Sequence, residues 1–247
     1  MSNPRPTLTL TLRRTGGTSL QSFLAQVSPF RSVEHEPFNP DRIWGHIVQK
    51  FQEDKDLDVL EASIDALLEN KVNIKHCVEV VPVQVTKLLI KCAKKHGYFF
   101  IVLTRSNSIR RLRSLFLAMS TGAWGPEHEA ERYPAILAGE VKPAPINLDK
   151  VRRQYWNDQL VLGRTISQLR YQKVDYEWLV FEEVYQGEDP VSVHAAKLAT
   201  QIGIDVSGEG ANLDKLNERG KQSSYQIENF IPNYDDMMAI LKETCID

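Results

Sequence analysis

The chain has few cysteines, three among 247 residues, at positions 77, 92 and 245. Their number is odd, they are widely spaced and no two form a Cys-x-x-Cys pair, which argues against a disulfide framework and against a zinc knuckle. The net charge is also small, −2 at pH 7. No overall field therefore draws the protein to nucleic acid or to an anionic membrane, and any anion site must be local.

Long apolar runs are missing as well. No stretch approaches the roughly eighteen apolar residues of a membrane-spanning helix, and the start, Met-Ser-Asn-Pro-Arg-Pro, lacks the apolar core of a signal peptide. We therefore expect a cytoplasmic protein without a transmembrane segment. The composition, 42% hydrophobic and 25% charged residues, is typical of a globular protein with a full core.

Segments of strand type and of helix type alternate along the chain. Residues 7–12 and 98–104 are predicted to be buried strands, and weaker patterns predict two more at 72–78 and 173–180. Apolar residues recur at helical spacing in 20–27, 57–68, 83–97, 109–121, 148–169 and 191–202, and the tail 234–245 is amphipathic. Such alternation predicts a three-layer α/β fold with a mostly parallel central sheet, in a single domain over 1–247. Segments expected to be irregular are 30–45, 125–145 and 206–225.

The first strand runs into a loop of small residues, Arg14-Thr15-Gly16-Gly17-Thr18-Ser19, that precedes a helix. This order aims several main-chain N–H groups and the positive end of a helix dipole at one point. Arg13 and Arg14 add positive charge, so an oxyanion such as phosphate fits there. The alternative is an ordinary βα turn in which the glycines only permit the bend.

A second basic cluster follows the strand 98–104. Arg105 stands at the carboxyl end of that strand, where α/β sheets bind ligands. For Arg110 and Arg111 a solvated helix face is favoured. Two anion sites at strand ends suggest a ligand with two separated phosphates. A P-loop kinase is disfavoured because its motif needs a lysine after the glycine-rich loop, and none follows Gly17 here.

Four segments together resemble the sulfotransferase family, most closely its bacterial carbohydrate branch. They are, in chain order, the 5′-phosphosulfate loop at 14–20, the 3′-phosphate segment Leu103-Thr104-Arg105 with Ser114 and 121–124, the element 174–179, and a closing loop at 221–223 with 227–229. The resemblance implies an enzyme with a P-loop-like phosphosulfate-binding loop. Its donor would be 3′-phosphoadenosine 5′-phosphosulfate (PAPS), used as a co-substrate without a metal. The sulfuryl group would pass by direct in-line transfer to a small-molecule or carbohydrate acceptor.

The resemblance also implies which residues bind the donor. Those at the 5′-phosphosulfate would be Arg14, Thr15, Gly16, Gly17, Thr18 and Ser19, through amides and hydroxyls, and those at the 3′-phosphate would be Arg105, Ser114 and Lys221. Arg14 would also be catalytic, because the donors at the 5′-phosphosulfate would neutralise the charge that grows on the leaving phosphate oxygen. The sequence departs from the family pattern in two places. Gly17 replaces a hydroxyl residue, and Ser19 stands where a bulky residue is common.

Three residues are candidates for the base that takes the acceptor's proton. Glu36 matches the glutamate that the bacterial branch uses in the loop after the first helix, and His35 is its neighbour. His76, in Ile74-Lys75-His76, resembles the histidine that the cytosolic branch uses after a Lys-Ser/Thr pair at its second strand, although the intervening residue is missing here. Each serves if its pKa is tuned toward neutrality. A non-catalytic module that retains the site for PAPS and for 3′-phosphoadenosine 5′-phosphate (PAP) stays open as the alternative function, and a P-loop kinase is a weaker one.

Overall fold

The computed structural model describes residues 3–33, 36–205, 216 and 227–245. Its four strands are β1 (Thr7–Thr11), β2 (Ile74–Cys77), β3 (Phe99–Thr104) and β4 (Tyr176–Val180). They form one all-parallel sheet in the order β2-β1-β3-β4. The central β1 pairs through Leu8 with Ile74 on one side and with Phe100 on the other. The predicted α/β fold with a parallel sheet is confirmed.

Helices connect the strands and follow the last of them. They are α1 (Gly17–Val27), α2 (Gly45–Asp54), α3 (Leu57–Leu68), α4 (Val83–Lys95), α5 (Ser108–Thr121), α6 (Pro126–Leu137), α7 (Leu148–Tyr171), α8 (Phe181–Gln186), α9 (Val191–Gln201) and α10 (Tyr234–Thr244). Local chemistry sets several ends: the Asp56 carboxylate caps α3, and Gly97, with φ 75°, follows α4. Within the described part of the chain, no helix combines the length and the apolarity needed to cross a membrane.

Apolar side chains alternate between the two faces of the sheet. On one face, Leu8, Leu10 and Val102 join a hydrophobic cluster with α2, α3 and α4. On the other, Ile101 and Leu103 join a second cluster with α1, α8 and α9. Because helices cover both faces, the architecture has the three layers that the sequence predicts.

The chain predicted as a single domain contains two compact units. The first comprises 1–104 and 160–218 and holds the sheet, whereas the second comprises 105–159 and 219–247. The second unit has its own core, built from α5, α6, α10 and the first part of α7. In that unit Arg111 is only 2% exposed and donates to the Asp158 carboxylate at 2.5 Å. The expected solvated face is therefore wrong for Arg111, whereas Arg110 is exposed.

Three helices occur where the sequence pattern predicts none. α6 lies inside the segment 125–145, where Pro126 occupies its first position and suits a helix start. α2 begins at Gly45, the last residue of the segment 30–45. α8 follows β4 directly at Phe181. The segment 206–225 lies outside the described residues except for Leu216.

Candidate functional site

The candidate site begins at the carboxyl end of β1. In the sheet order, β1 connects to β2 on one side while β3 lies on the other, and ligands of open α/β sheets bind at such a change of direction. Gly16 precedes α1 with φ 82° and, having no side chain, cannot cap the helix. The first N–H groups of α1 and the positive end of its dipole thus face the site without a cap from that residue.

Gly16 is required both by conformation and by space. A Cβ at this position would lie 2.8 Å from Cδ2 of Phe181, and the left-handed φ disfavours any side chain. The Tyr185 hydroxyl donates to the Gly16 carbonyl oxygen at 3.3 Å. Both aromatic residues belong to α8. A helix that the sequence pattern does not predict therefore packs against the turn at Gly16.

Two side chains of the loop are engaged by the protein itself. Thr15 is 1% exposed, and its hydroxyl donates to the Leu12 carbonyl oxygen at 2.7 Å. The Thr15 hydroxyl is thus bonded within the protein, and the role of Thr15 at the 5′-phosphosulfate stays a prediction. Arg13 donates from its main-chain N–H and from Nε to Oε1 of the buried Glu79, at 2.7 and 3.1 Å. This contact fastens the loop to the chain just after β2.

Lys75 reaches the same place from β2. It is 5% exposed, and its Nζ lies 2.9 Å from Oε1 of Glu36 and 3.4 Å from Oγ1 of Thr18, in the first turn of α1. Its stem passes over Gly17, where a Cβ would lie 3.0 Å from Lys75 Cδ. The glycine that departs from the family pattern thus makes room for a lysine that the sequence-based prediction omits from the site.

Backbone strain marks two of the predicted residues. Among the described residues, five other than glycine have positive φ. Three of these, Lys55, Lys71 and Lys173, lie within three residues of a helix end, where a left-handed residue is common. Arg14 (φ 67°) and Glu36 (φ 63°) lie instead in loops, and strain of this kind clusters at functional sites.

The Glu36 carboxylate is held on both oxygens. Oε1 pairs with Lys75, and Oε2 accepts a hydrogen bond from Nδ2 of Asn39 at 2.8 Å. Burial, the largest influence, raises the pKa of Glu36, but the charge of Lys75 and hydrogen bonds from Lys75, Cys77 and Asn39 together lower that pKa to about 2. The expectation of a pKa near neutrality is not met, and so weak a base accepts a proton poorly.

His76 is a packed core residue. It is 1% exposed, its Nε2 lies 2.9 Å from the Thr86 hydroxyl, and the Phe38 ring packs on it edge-on at 5.9 Å. Burial lowers the pKa of His76 to about 4, so the ring is neutral near pH 7. Burial on this scale does not favour the role of base for His76, and that role stays a prediction. His35 lies outside the described residues.

The second predicted anion-binding segment belongs to the second unit. Arg105 directly follows β3 and is half-buried, as is Ser114 on α5. The start of α5 is capped by Asn107, whose Oδ1 accepts the N–H of Arg110 at 2.8 Å. Binding of the 3′-phosphate by Arg105 and Ser114 stays a prediction. Lys221 lies outside the described residues.

Comparison of this chain with models of protein families, with curated proteins and with solved structures finds no match. Across the described residues, no three side chains of His, Cys, Asp or Glu are grouped so as to bind a metal ion. The loop after β1 and the residues around Lys75 and Glu36 are therefore what indicates a function for this chain.

Proposed function

We propose that the protein is a sulfotransferase that transfers the sulfuryl group of PAPS to a hydroxyl of a small or glycosidic acceptor. One observation carries the proposal: the buried ammonium of Lys75 lies near both the Thr18 hydroxyl, at 3.4 Å, and the Glu36 carboxylate, at 2.9 Å. A single cation thus adjoins the predicted donor loop and the predicted base. Group transfer from a bound anion to a neighbouring hydroxyl needs such proximity between donor and base.

In this proposal the 5′-phosphosulfate binds at the first turn of α1, with Arg14 and Lys75 as its cations. Thr18 is exposed there and half-buried Ser19 follows it, so the hydroxyls and N–H groups of these two residues are within the predicted loop. As the acceptor oxygen bonds to sulfur, the bond from sulfur to the bridging oxygen breaks and negative charge grows on the leaving phosphate. Donors fixed in advance stabilise that charge, which lowers the barrier.

The 3′-phosphate is assigned to Arg105 and Ser114 from residue type and chain position. A guanidinium binds phosphate through two parallel hydrogen bonds, and Arg105 comes directly after β3, the strand that pairs with β1. Lys221 is proposed to close over the nucleotide. A cytoplasmic location belongs to the same proposal, supported by the small number of cysteines and by the burial of Cys77 and Cys92 as thiols.

The state of Glu36 favours a second candidate function. A carboxylate that is bound by Lys75 and Asn39, with its pKa lowered to about 2, is suited to holding the loop rather than to accepting a proton. The protein would then be a nucleotide-binding module, a sensor or scaffold, without turnover. Both candidates bind PAP, but only the enzyme converts PAPS to PAP when an acceptor is added.

The test uses PAPS labelled in its sulfate, a panel of glycosides and small alcohols, and a chelator in the buffer. We expect label in one class of acceptor and release of PAP in equal amount. Binding of PAP without transfer to any acceptor would support the non-catalytic module. Failure to bind PAP, together with magnesium-dependent binding of ATP, would contradict both and favour a kinase.

A further inference from the structure

We propose that Lys75 is a positioning residue that couples the binding of the donor to the release of the Glu36 carboxylate. An oxyanion at the first turn of α1 takes the Lys75 ammonium as its partner, and Glu36, no longer ion-paired, accepts the proton of the acceptor hydroxyl. The inference rests on the proposed sulfotransferase function and adds to it the order of events within the site.

Lys75 needs an anionic partner. At 5% exposure its ammonium is largely withdrawn from water, and a buried charge is stable only when it is paired. In the structure that partner is Glu36, at 2.9 Å from Nζ. An anion bound at α1 offers the same ammonium a second partner without exposing the charge.

The Lys75 ammonium is already within reach of the predicted donor loop. The Thr18 hydroxyl is 3.4 Å from Nζ and lies on the exposed side of the first turn. The close approach of Cδ to Gly17 holds the stem of Lys75 across the start of the helix. A change of partner therefore requires rotation about the last bonds of the side chain rather than movement of β2.

A change of partner by Lys75 alters the pKa of Glu36. When Lys75 pairs with another anion, Glu36 loses the attraction that lowers its pKa, while its burial, which raises that pKa, remains. The other groups near the carboxylate do not replace the ammonium. Cys77 donates a weak hydrogen bond from its thiol, His76 is neutral near pH 7, and Glu79 is bound to Arg13. Donor binding thus moves the pKa of Glu36 toward the range in which a general base is effective.

The coupling is measured by a double-mutant cycle on PAP affinity, with titration calorimetry of the full chain. Because Glu36 competes with the anion for Lys75, Glu36→Gln should bind PAP more tightly, by at least about threefold. The gain should vanish in the Lys75→Met background. Lys91→Met, which removes an exposed lysine paired with Glu61 at 2.5 Å, is the matched control and should leave PAP affinity unchanged.

A second measurement uses the unaltered protein, so that misfolding of a variant does not obscure the result. The carbon signal of the Glu36 carboxyl, assigned by its loss in Glu36→Gln, should titrate about one to three pH units higher with PAP bound than without. PAP binding with an unmoved titration, or an affinity unchanged in Glu36→Gln, would overturn the coupling and leave the nucleotide site intact. If PAP does not bind, the proposed function fails. In that case the Glu36 titration is repeated with saturating inorganic sulfate, which tests the coupling separately from the proposed function. A shift of the titration supports the coupling, and an unshifted titration overturns it.

Discussion

The helices α1 and α5 both begin just after a strand of the sheet, yet their first turns are completed differently. α5 is capped by its own chain, since the Asn107 side chain accepts the N–H of Arg110. α1 is preceded by Gly16, which has no side chain to cap it, and none of the first-turn residues of α1 is acidic. Asn107 thus satisfies part of the N-terminus of α5, whereas Gly16 provides no side-chain acceptor for the N-terminus of α1. From this difference we expect main-chain recognition of an anion at α1 and side-chain recognition at the segment after β3.

The largest effect is expected on the α1 side, where the chemistry is proposed to occur. Glu36→Gln should lower turnover by about 10²- to 10⁴-fold, the usual range for loss of a general base, without weakening PAP binding. Steady-state assay and calorimetry measure the two quantities separately. Glu61→Gln, at a partly exposed glutamate paired with Lys91, is the control. Unchanged turnover in Glu36→Gln would show that Glu36 is not the general base.

The next largest effect tests side-chain recognition after β3. Arg105→Ala should weaken PAP binding by about 10- to 150-fold, as expected for the loss of hydrogen bonds between charged groups. Arg110→Ala removes an exposed arginine of the same basic cluster and should have little effect. Dissociation constants from calorimetry decide the matter. Equal affinities for the wild type and Arg105→Ala would refute the 3′-phosphate assignment.

A third prediction concerns the uncapped bend itself. Gly16→Ala should lower the free energy of unfolding by about 1–3 kcal/mol, because the new methyl group meets Phe181 and the residue has a left-handed φ. Gly97→Ala introduces the same conformational strain in open space, so the difference between the two variants isolates the contact with Phe181. Gly17→Ala should be milder, since its neighbour is the flexible stem of Lys75. Denaturant unfolding measures these free energies. Equal decreases for Gly16→Ala and Gly97→Ala would show that contact with Phe181 of α8 does not constrain position 16.

The smallest effect concerns the cap of α5. Asn107→Ala should lower the free energy of unfolding by about 1 kcal/mol while PAP affinity stays the same, because the cap serves its own helix. Asp56→Ala, which removes the cap of α3, is the matched control for stability. A loss of PAP affinity in Asn107→Ala but not in Asp56→Ala would show that the N-terminus of α5 also takes part in PAP binding, which contradicts the proposed difference between α1 and α5.

Local sequence patterns were sufficient to predict most of the strands and helices of the fold. The continuous apolar run 98–104 predicted β3 nearly to its ends, and Gly97 and Gly122 marked the ends of α4 and α5. Prolines obscured α6, since Pro134 interrupts the apolar spacing that identifies a helix. The burial of Arg111 has no local signature, because its partner Asp158 lies on another helix, α7.

The site was predictable in its loop but not in its charges. The glycines and the following helix spacing predict a turn between β1 and α1, which the structure contains, and anion binding at that turn stays a prediction. The pairing of Lys75 with Glu36 joins residues far apart in sequence, and it determines the pKa that the sequence could not supply. One signal was present: a lysine within the strand pattern 72–78 is a buried charge that requires a partner.

The central claim is that one nucleotide with two separated phosphates binds this protein. The most direct measurement is calorimetric titration with PAP, adenosine 5′-monophosphate and adenosine 3′-monophosphate, each in the presence of a chelator. The account predicts that PAP binds more tightly than either monophosphate, by about 10- to 150-fold, because each phosphate contributes charge-assisted hydrogen bonds. Equal affinity for PAP and a monophosphate, or no binding of PAP, would contradict it.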